Sequence, residues 1–353
     1  MEKRNVKEFS EHMKTYQWTV VGAGPAGIAA VGKLLDLGIP PATIAWVDPL
    51  FQVGDLGEKW RLVSSNTKVS LFHKYLHHCK SFRYGAAPDF TLNHLHPDKT
   101  CLLDEIAKPL QWVSNHLFEA VNTFKTTVRA LVLENQVWKV KTEQEVFGSQ
   151  NVILAIGAEP KQLNYPNLKV IPLEVALREL PPLTGETVGV FGASHSAIII
   201  LQRLLETSAK KVINFYNSPL KFAVYLKDWI LFDNTGLKGE AAVWARKNIH
   251  GKHPDRLERV RISDPHFQKH LATCQSVIYA VGFEKRRPPE TPQIADLVYN
   301  EFNGIIAPGL FGLGIAFPQK TEDPFRNVEY NVGLWKFMAY LESVLPIWMQ
   351  YGP

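Results

Sequence analysis

Apolar positions come in short bursts separated by polar or glycine-rich breaks, and the period of each burst predicts an element. Trp18-Thr19-Val20-Val21 is a β-prone run that stops at Gly22. Ile28 to Leu37 carries helix formers and ends at Gly38, and Thr43 to Val47 is β-prone again. The same succession returns 170 residues later as Val188 to Phe191, a helix from about Ala197, and a strand at Lys211 to Tyr216. Between the two, "TTVRALVLENQVWKVKT" alternates apolar and polar residues and predicts a β-meander. Asn151 to Pro160 and Ser276 to Arg287 each read as a strand ending in a corner of small residues. The terminal "NVEYNVGLWKFMAYLESVL" has apolar residues at helical spacing after a polar start and predicts an amphipathic helix.

Alternating strands and helices predict the α/β class, and 353 residues suffice for two domains with cores of their own. The expected architecture is two Rossmann-like three-layer domains. The first is discontinuous, 1–160 with 276–353, and the second, 161–275, is inserted into it.

Gly22-Ala23-Gly24-Pro25-Ala26-Gly27 sits on the strand-to-helix turn, the context in which such a motif holds a dinucleotide. Gly22 permits the tight turn, Gly24 lets backbone approach a pyrophosphate, and Gly27 lets helix pack on strand. The helix N-terminus then offers free N–H groups and a positive dipole end. Asp48 closes the next strand 21 residues past Gly27, at the spacing of a ribose-binding carboxylate. In the second copy Gly192, Ser194 and Ala197 stand where the glycines were, with His195 and Ser196 beside them. Two nucleotide-binding halves in one chain are what hydride transfer between two cofactors requires.

Composition narrows the partners. A net charge of +5 is mild and scattered, which argues against a nucleic-acid surface. The N-terminal "MEKRNVKEFSEHMKTYQ" has no apolar core of leader length, and no run is long and apolar enough to span a membrane, so no membrane partner is expected. Cys79, Cys101 and Cys274 are far apart and form no C-x-x-C pair, which speaks against a redox dithiol and for a cytoplasmic compartment. His73, His77 and His78 in "HKYLHHC" lack a supporting carboxylate, so no metal is expected. His195 reads as a pyrophosphate neighbour rather than a base, and "GASHS" is no nucleophile elbow.

With the first fingerprint, Asp48, the degraded second fingerprint and the two small-residue corners, the chain resembles the two-dinucleotide-binding-domain flavoproteins over nearly its whole length. Within them it is most similar to flavin-containing and N-hydroxylating monooxygenases, through "GDLGEKWRLVSSNTKVSLF" with Gly54, Gly57, Trp60 and Asn66. The resemblance implies FAD at the first fingerprint and NADP, or NAD, at the second. It places Gly22, Gly24, Pro25, Ala26, Gly27, Asp48, Trp60, Val128, Ala155, Gly157, Gly282, Gly312 and Gly314 about the flavin, and Gly192, Ser194, His195 and Ser196 about the nicotinamide nucleotide. Asn66 becomes the catalytic candidate, a buried amide donating to a reactive oxygen adduct of the flavin or to the nicotinamide ribose; the plainer alternative is that it caps a turn. The resemblance also aims the N-terminus of the terminal helix at the flavin.

Three features depart from those relatives. The F-x-G-x-x-x-H signature is absent, Pro172-Leu173-Glu174 stands where a His-Ser pair is common, and "GLFGLGIAFP" replaces the Gly-Asp that contacts FAD. After Lys211–Tyr216 come Asn217 and Ser218 with Lys221 beyond and no acid, which favours NADPH. The stretch Tyr225 to Ile249 is extra to a nucleotide fold and reads as a cap over the nicotinamide side or a partner surface. The expected activity is an FAD-dependent NAD(P)H oxidoreductase, monooxygenase-like, acting on an N or S nucleophile of a small molecule. The alternatives are a reductase or oxidase of a quinone or other acceptor without oxygen insertion, and a non-catalytic FAD-binding module.

Overall fold

Two sheets, one mixed and one parallel, divide the chain in this computed structural model, which describes residues 13–294 and 296–353. The first 12 residues, most of the stretch read for a leader, lie outside the described residues. In the first sheet Thr15–Val21 runs parallel between Ile44–Val47 and Val146–Leu154, so Val20 has Trp46 on one side and Ile153 on the other. Asn122–Phe124 extends one edge, and Leu310–Gly312 with Ile305–Ala307 extends the other. The predicted meander is present: Val128–Glu134 and Val137–Thr142 pair antiparallel and fold onto Val146–Leu154.

Helix Pro25–Asp36 buries Ile28, Val31 and Leu34, one per turn, over this sheet. The C-terminal helix Leu334–Trp348 joins the same core through Leu341, Val344 and Trp348, whose ring stacks on Phe311 at 4.8 Å. Each such side chain removed from water contributes roughly 1.5–3 kcal/mol.

The second sheet is parallel throughout, in the order Leu257–Arg261, Lys211–Tyr216, Thr187–Phe191, Ser276–Tyr279, Lys169–Val170. Helix His195–Glu206 covers one face with Ile198, Leu201 and Leu204, while Phe191, Phe215, Phe267 and Tyr279 pack the other.

Two expectations need correction. Ser276–Tyr279, expected in the returning first domain, is a strand of the second sheet, paired along its length with Thr187–Phe191. The chain crosses between the sheets through Ala158–Pro160 and Phe283–Lys285, which pair antiparallel. The terminal helix starts at Leu334, after Gly333 at φ +141°, and Val328–Asn331 before it is a strand paired with Gln319–Glu322. Alternation over those four residues outweighs the helical spacing that follows them.

Candidate active site

The first turn is built by close backbone approach. Gly22 has φ +108°, and a Cβ there would lie 2.3 Å from the Ala155 carbonyl oxygen. A Cβ on Gly27 would lie 1.9 Å from the Gly22 oxygen, so glycine is obligatory for this helix to sit on this strand. Trp46 Nε1 donates to that same oxygen at 3.0 Å. Gly24 differs. Its φ is −77°, and the nearest atom to an added Cβ is Gly54 Cα at 4.0 Å. Neither backbone nor packing forbids a side chain there, so the missing one leaves room beside a helix start that has no side-chain cap. That cradle fits a diphosphate.

Asp48 has a local role in the turn. Its carboxylate accepts the Ala23 N–H at 2.7 Å and those of Leu50 and Phe51 at 2.9 and 2.7 Å, clipping the turn to the end of the next strand.

The second turn repeats the geometry. Gly192 has φ +125°, with the Ala280 oxygen 2.2 Å from where a Cβ would be. Asn214 Nδ2 donates to the Gly192 oxygen at 2.8 Å. Helix His195–Glu206 begins at His195, whose Nε2 is 3.0 Å from the Ser64 carbonyl. A carbonyl only accepts, so Nε2 carries the proton and Nδ1 is left as a buried lone pair without a partner. Burial lowers the pKa of this imidazole and keeps it neutral. With its Nε2–H committed to Ser64, the ring ties the start of this helix to the segment that borders the cleft.

Both turns open on one cleft of about 660 Å³. Of the candidates, Gly22, Gly24, Pro25, Asp48, Trp60, Asn66, Ala155, Gly157, His195 and Ser196 line it. Ala26, Gly27, Gly192 and Ser194 lie within the turns, off the wall. Val128 is buried in the core of the meander, and Gly282 sits at the open corner after Ser276–Tyr279. Gly312 makes room for the Phe317 ring, 2.3 Å from where its Cβ would be, and Gly314 abuts Ala26. Both glycines thus have a packing role of their own. Asn66 is exposed on the wall with its Oδ1 taking a hydrogen bond from Thr67, so the buried amide expected there is not found; the buried neighbour is Ser65.

Charged residues absent from the sequence reading complete the wall. Arg286, just past Phe283–Lys285, pairs at 2.7 Å with Asp55 of the short helix Gly54–Glu58. The insertion contributes Tyr225, Ile230, Asp233, Asn234 and Lys238 to the wall. Asp233 holds two ammonium groups, Lys238 and, at 2.6 Å, Lys336 of the C-terminal helix. Lys336 also donates to Asn234 Oδ1 at 2.6 Å, and Glu329 accepts from the Asn234 N–H and the Thr235 hydroxyl. Burial pushes Asp233 up, but the hydrogen bonds from Lys238 and Lys336 outweigh it and hold the carboxyl below its ordinary range. Burial draws the Lys336 ammonium down. This network latches the insertion to the first domain from residues about 100 positions apart, a distance that local pattern does not reveal.

The thiols and the histidines of "HKYLHHC" lie off the wall. The three cysteines are free, and burial pushes the thiols of Cys101 and Cys274 up to about 11 and that of Cys79 higher still, away from nucleophilic thiolate. His73 bonds the Leu92 carbonyl and His78 pairs with Glu342 at 2.9 Å. Among the described residues no three His, Cys, Asp or Glu side chains converge on a metal position, and no helix is long and apolar enough to cross a membrane.

Two glycine turns feeding two helices into one cleft define an oxidoreductase with two dinucleotide folds. The chain belongs to the pyridine nucleotide-disulphide oxidoreductase family, whose model matches residues 19–287, and so to the two-dinucleotide-binding-domain flavoprotein superfamily. It is 33% identical to Monooxygenase AgnR1 of Paecilomyces divaricatus, over 94% of this chain and 97% of that one. Its fold is similar to a flavin-containing monooxygenase from Stenotrophomonas maltophilia (TM-score 0.65, 14% identity, 96% and 99% of the two chains). It is also similar to the bacillithiol disulfide reductase Bdr of Staphylococcus aureus (TM-score 0.58, 11% identity, 96% and 98%).

Proposed function

We propose that the protein is an FAD-dependent monooxygenase that consumes NADPH and oxidises a nucleophilic N or S on a small molecule. The observation that carries this is the single cleft shared by both turns, with Gly24 cleared for a diphosphate and no thiol on the wall. The similar Monooxygenase AgnR1 supports the oxygenase reading, and solved relatives of the same fold include an OTEMO structure described as FAD-bound.

Bound FAD would supply electron transfer and oxygen activation, chemistry that no side chain here provides. The chain's own part is binding and shielding. The capless start of Pro25–Asp36 would take the diphosphate, with Gly22 and Gly24 giving it backbone approach and Asp48 facing the ribose. Gly333 to Phe337 bring the positive end of the C-terminal helix to the cleft, where it favours negative charge on a reduced ring. The Asp233–Lys336 latch and the Trp60–Phe283 contact, 6.1 Å between ring centres, close the wall against water.

NADPH is favoured by the end of the second strand. Val47 and Phe215 sit opposite Val21 and Phe191, so Tyr216 takes the place that Asp48 has in the first copy. No acid is there to bind a ribose hydroxyl. The Arg259 guanidinium lies 4.2 Å over the Tyr216 ring with Nη2 buried and unpartnered, and Arg261 Nε donates to the Asn217 carbonyl at 3.4 Å. Lys221, the sequence candidate, instead lies over Phe232 at 4.9 Å.

Anaerobic titration of the yellow protein tests this reading. NADPH should bleach the flavin at concentrations at least about tenfold lower than NADH does, a difference of about 1.4 kcal/mol in affinity. Colourless protein, or flavin bleached by neither nucleotide, refutes it. Label from ¹⁸O₂ in the product separates oxygen insertion from simple reduction of an acceptor.

A further inference from the structure

We infer that a second cavity, walled by the insertion hairpin, binds the molecule to be oxidised, and that it selects a molecule which carries, apart from the N or S to be oxidised, an aromatic ring bearing hydrogen-bond donors, a phenol hydroxyl or an ammonium group, over one whose ring bears a carboxylate. The inference rests on the flavoenzyme reading, under which two cofactor rings fill the main cleft and the substrate needs adjoining space.

That space has a volume of about 540 Å³, within the range of small-molecule sites. It lies between the hairpin of Val224–Tyr225 with Ile230–Leu231 and the hairpin of Gln319–Glu322 with Val328–Asn331. Tyr225, Ile230, Asp233 and Asn234 belong to both cavities, so a ligand seated here borders the main cleft directly.

The wall chemistry sets the ligand class. Asp233 is already neutralised by two lysines, and the Glu329 oxygens are filled by Asn234 and Thr235; both hold the wall in place. Asp228 and Glu322 enter no ion pair among the described residues, and Lys227 is the only cation on the wall. The surplus of acceptors rewards donors and repels a carboxylate, which would lose its hydration beside like charge. Trp229, braced by Phe325 with ring centres 5.7 Å apart, supplies a flat apolar surface. A planar ring buried on it gains area without freezing many torsions.

Calorimetric titration of the yellow holoenzyme with 2-naphthol, 2-naphthylmethylamine and 2-naphthoate tests the site. The phenol and the amine should each bind at least about tenfold tighter than the carboxylate. Trp229→Ala, and Thr321→Trp which fills the cavity from the facing hairpin, should each weaken both by about tenfold or more, with the bound-flavin spectrum unchanged as the sign of a folded protein. Naphthoate binding as tightly as naphthol, no binding by any of the three, or affinities untouched in Thr321→Trp overturns the proposal. Failure of the nicotinamide titration would overturn the flavoenzyme reading separately, since this measurement uses no nicotinamide.

Discussion

At the first turn the Gly22 carbonyl is held by the Trp46 indole at 3.0 Å; at the second, the Gly192 carbonyl is held by the Asn214 amide at 2.8 Å. Trp46 and Asn214 occupy the same register position, opposite Val20 and Val190 respectively. One demand, a donor for a turn carbonyl, is thus met by two unlike side chains. The glycines divide in the same way. Gly22 and Gly192 both have positive φ and both face a carbonyl, so neither copy can replace its first glycine. Gly27 must be glycine because it abuts the Gly22 oxygen, whereas Ala197 fits 3.3 Å from where a Gly192 Cβ would be. The second copy leaves room for the methyl group of Ala197 beside its turn. The second fingerprint is degraded in letters and intact in geometry.

The largest expected difference between the copies is at that third position. Gly27→Ala should cost about 3 kcal/mol or prevent folding, because the added methyl meets backbone that cannot move aside. Ala197→Gly should cost only about 1 kcal/mol, through helix propensity. Urea unfolding of the two variants decides it, and equal losses would break the asymmetry. Next comes Asn214→Leu, which removes donors from the Val190 and Gly192 carbonyls and the acceptor for Arg259 Nε at 3.0 Å. The expected loss is about 2 kcal/mol in the same measurement, because the groups left behind stay buried.

The smallest effect concerns the first helical residues, Pro25 in one copy and His195 in the other. The Pro25 carbonyl accepts from the Tyr75 hydroxyl at 2.6 Å, and His195 donates to Ser64, so each helix start is tied to the segment that borders the cleft. Only the histidine titrates. Its folded pKa is lowered by burial, so below about pH 6.5 the unfolded chain binds a proton that the folded protein refuses. Stability should therefore fall as pH drops from about 6.5 toward the folded pKa, by at most about 1.4 kcal/mol per pH unit. His195→Gln should flatten that part of the profile in denaturant unfolding between about pH 7 and pH 5. An unchanged slope would show that the ring is not held neutral.

Much of the fold was legible because its signals are local. Strand, glycine turn, helix and strand recur in order, and the meander alternates cleanly. The candidate site was legible only in part. Ten of the residues named from sequence meet on the cleft wall, but Asn66 is exposed there and Gly312 serves Phe317. Asp55, Arg286, Asp233, Lys238 and Lys336 went unnamed although all five line the same cleft. Asp55 and Arg286 are separated by 231 positions, and nothing near either one in the chain predicts the pair.

By itself, then, the sequence determined where backbone must turn tightly or pass close to other backbone, since a positive φ or a contact under 3 Å at Gly22, Gly27 and Gly192 admits glycine alone. Tertiary structure decided which charges meet, which donor serves each turn, and how the insertion closes the cleft. Those choices depend on side chains brought together from distant segments, and a carboxylate such as Asp233 takes on its role only when folding sets Lys238 and Lys336 beside it.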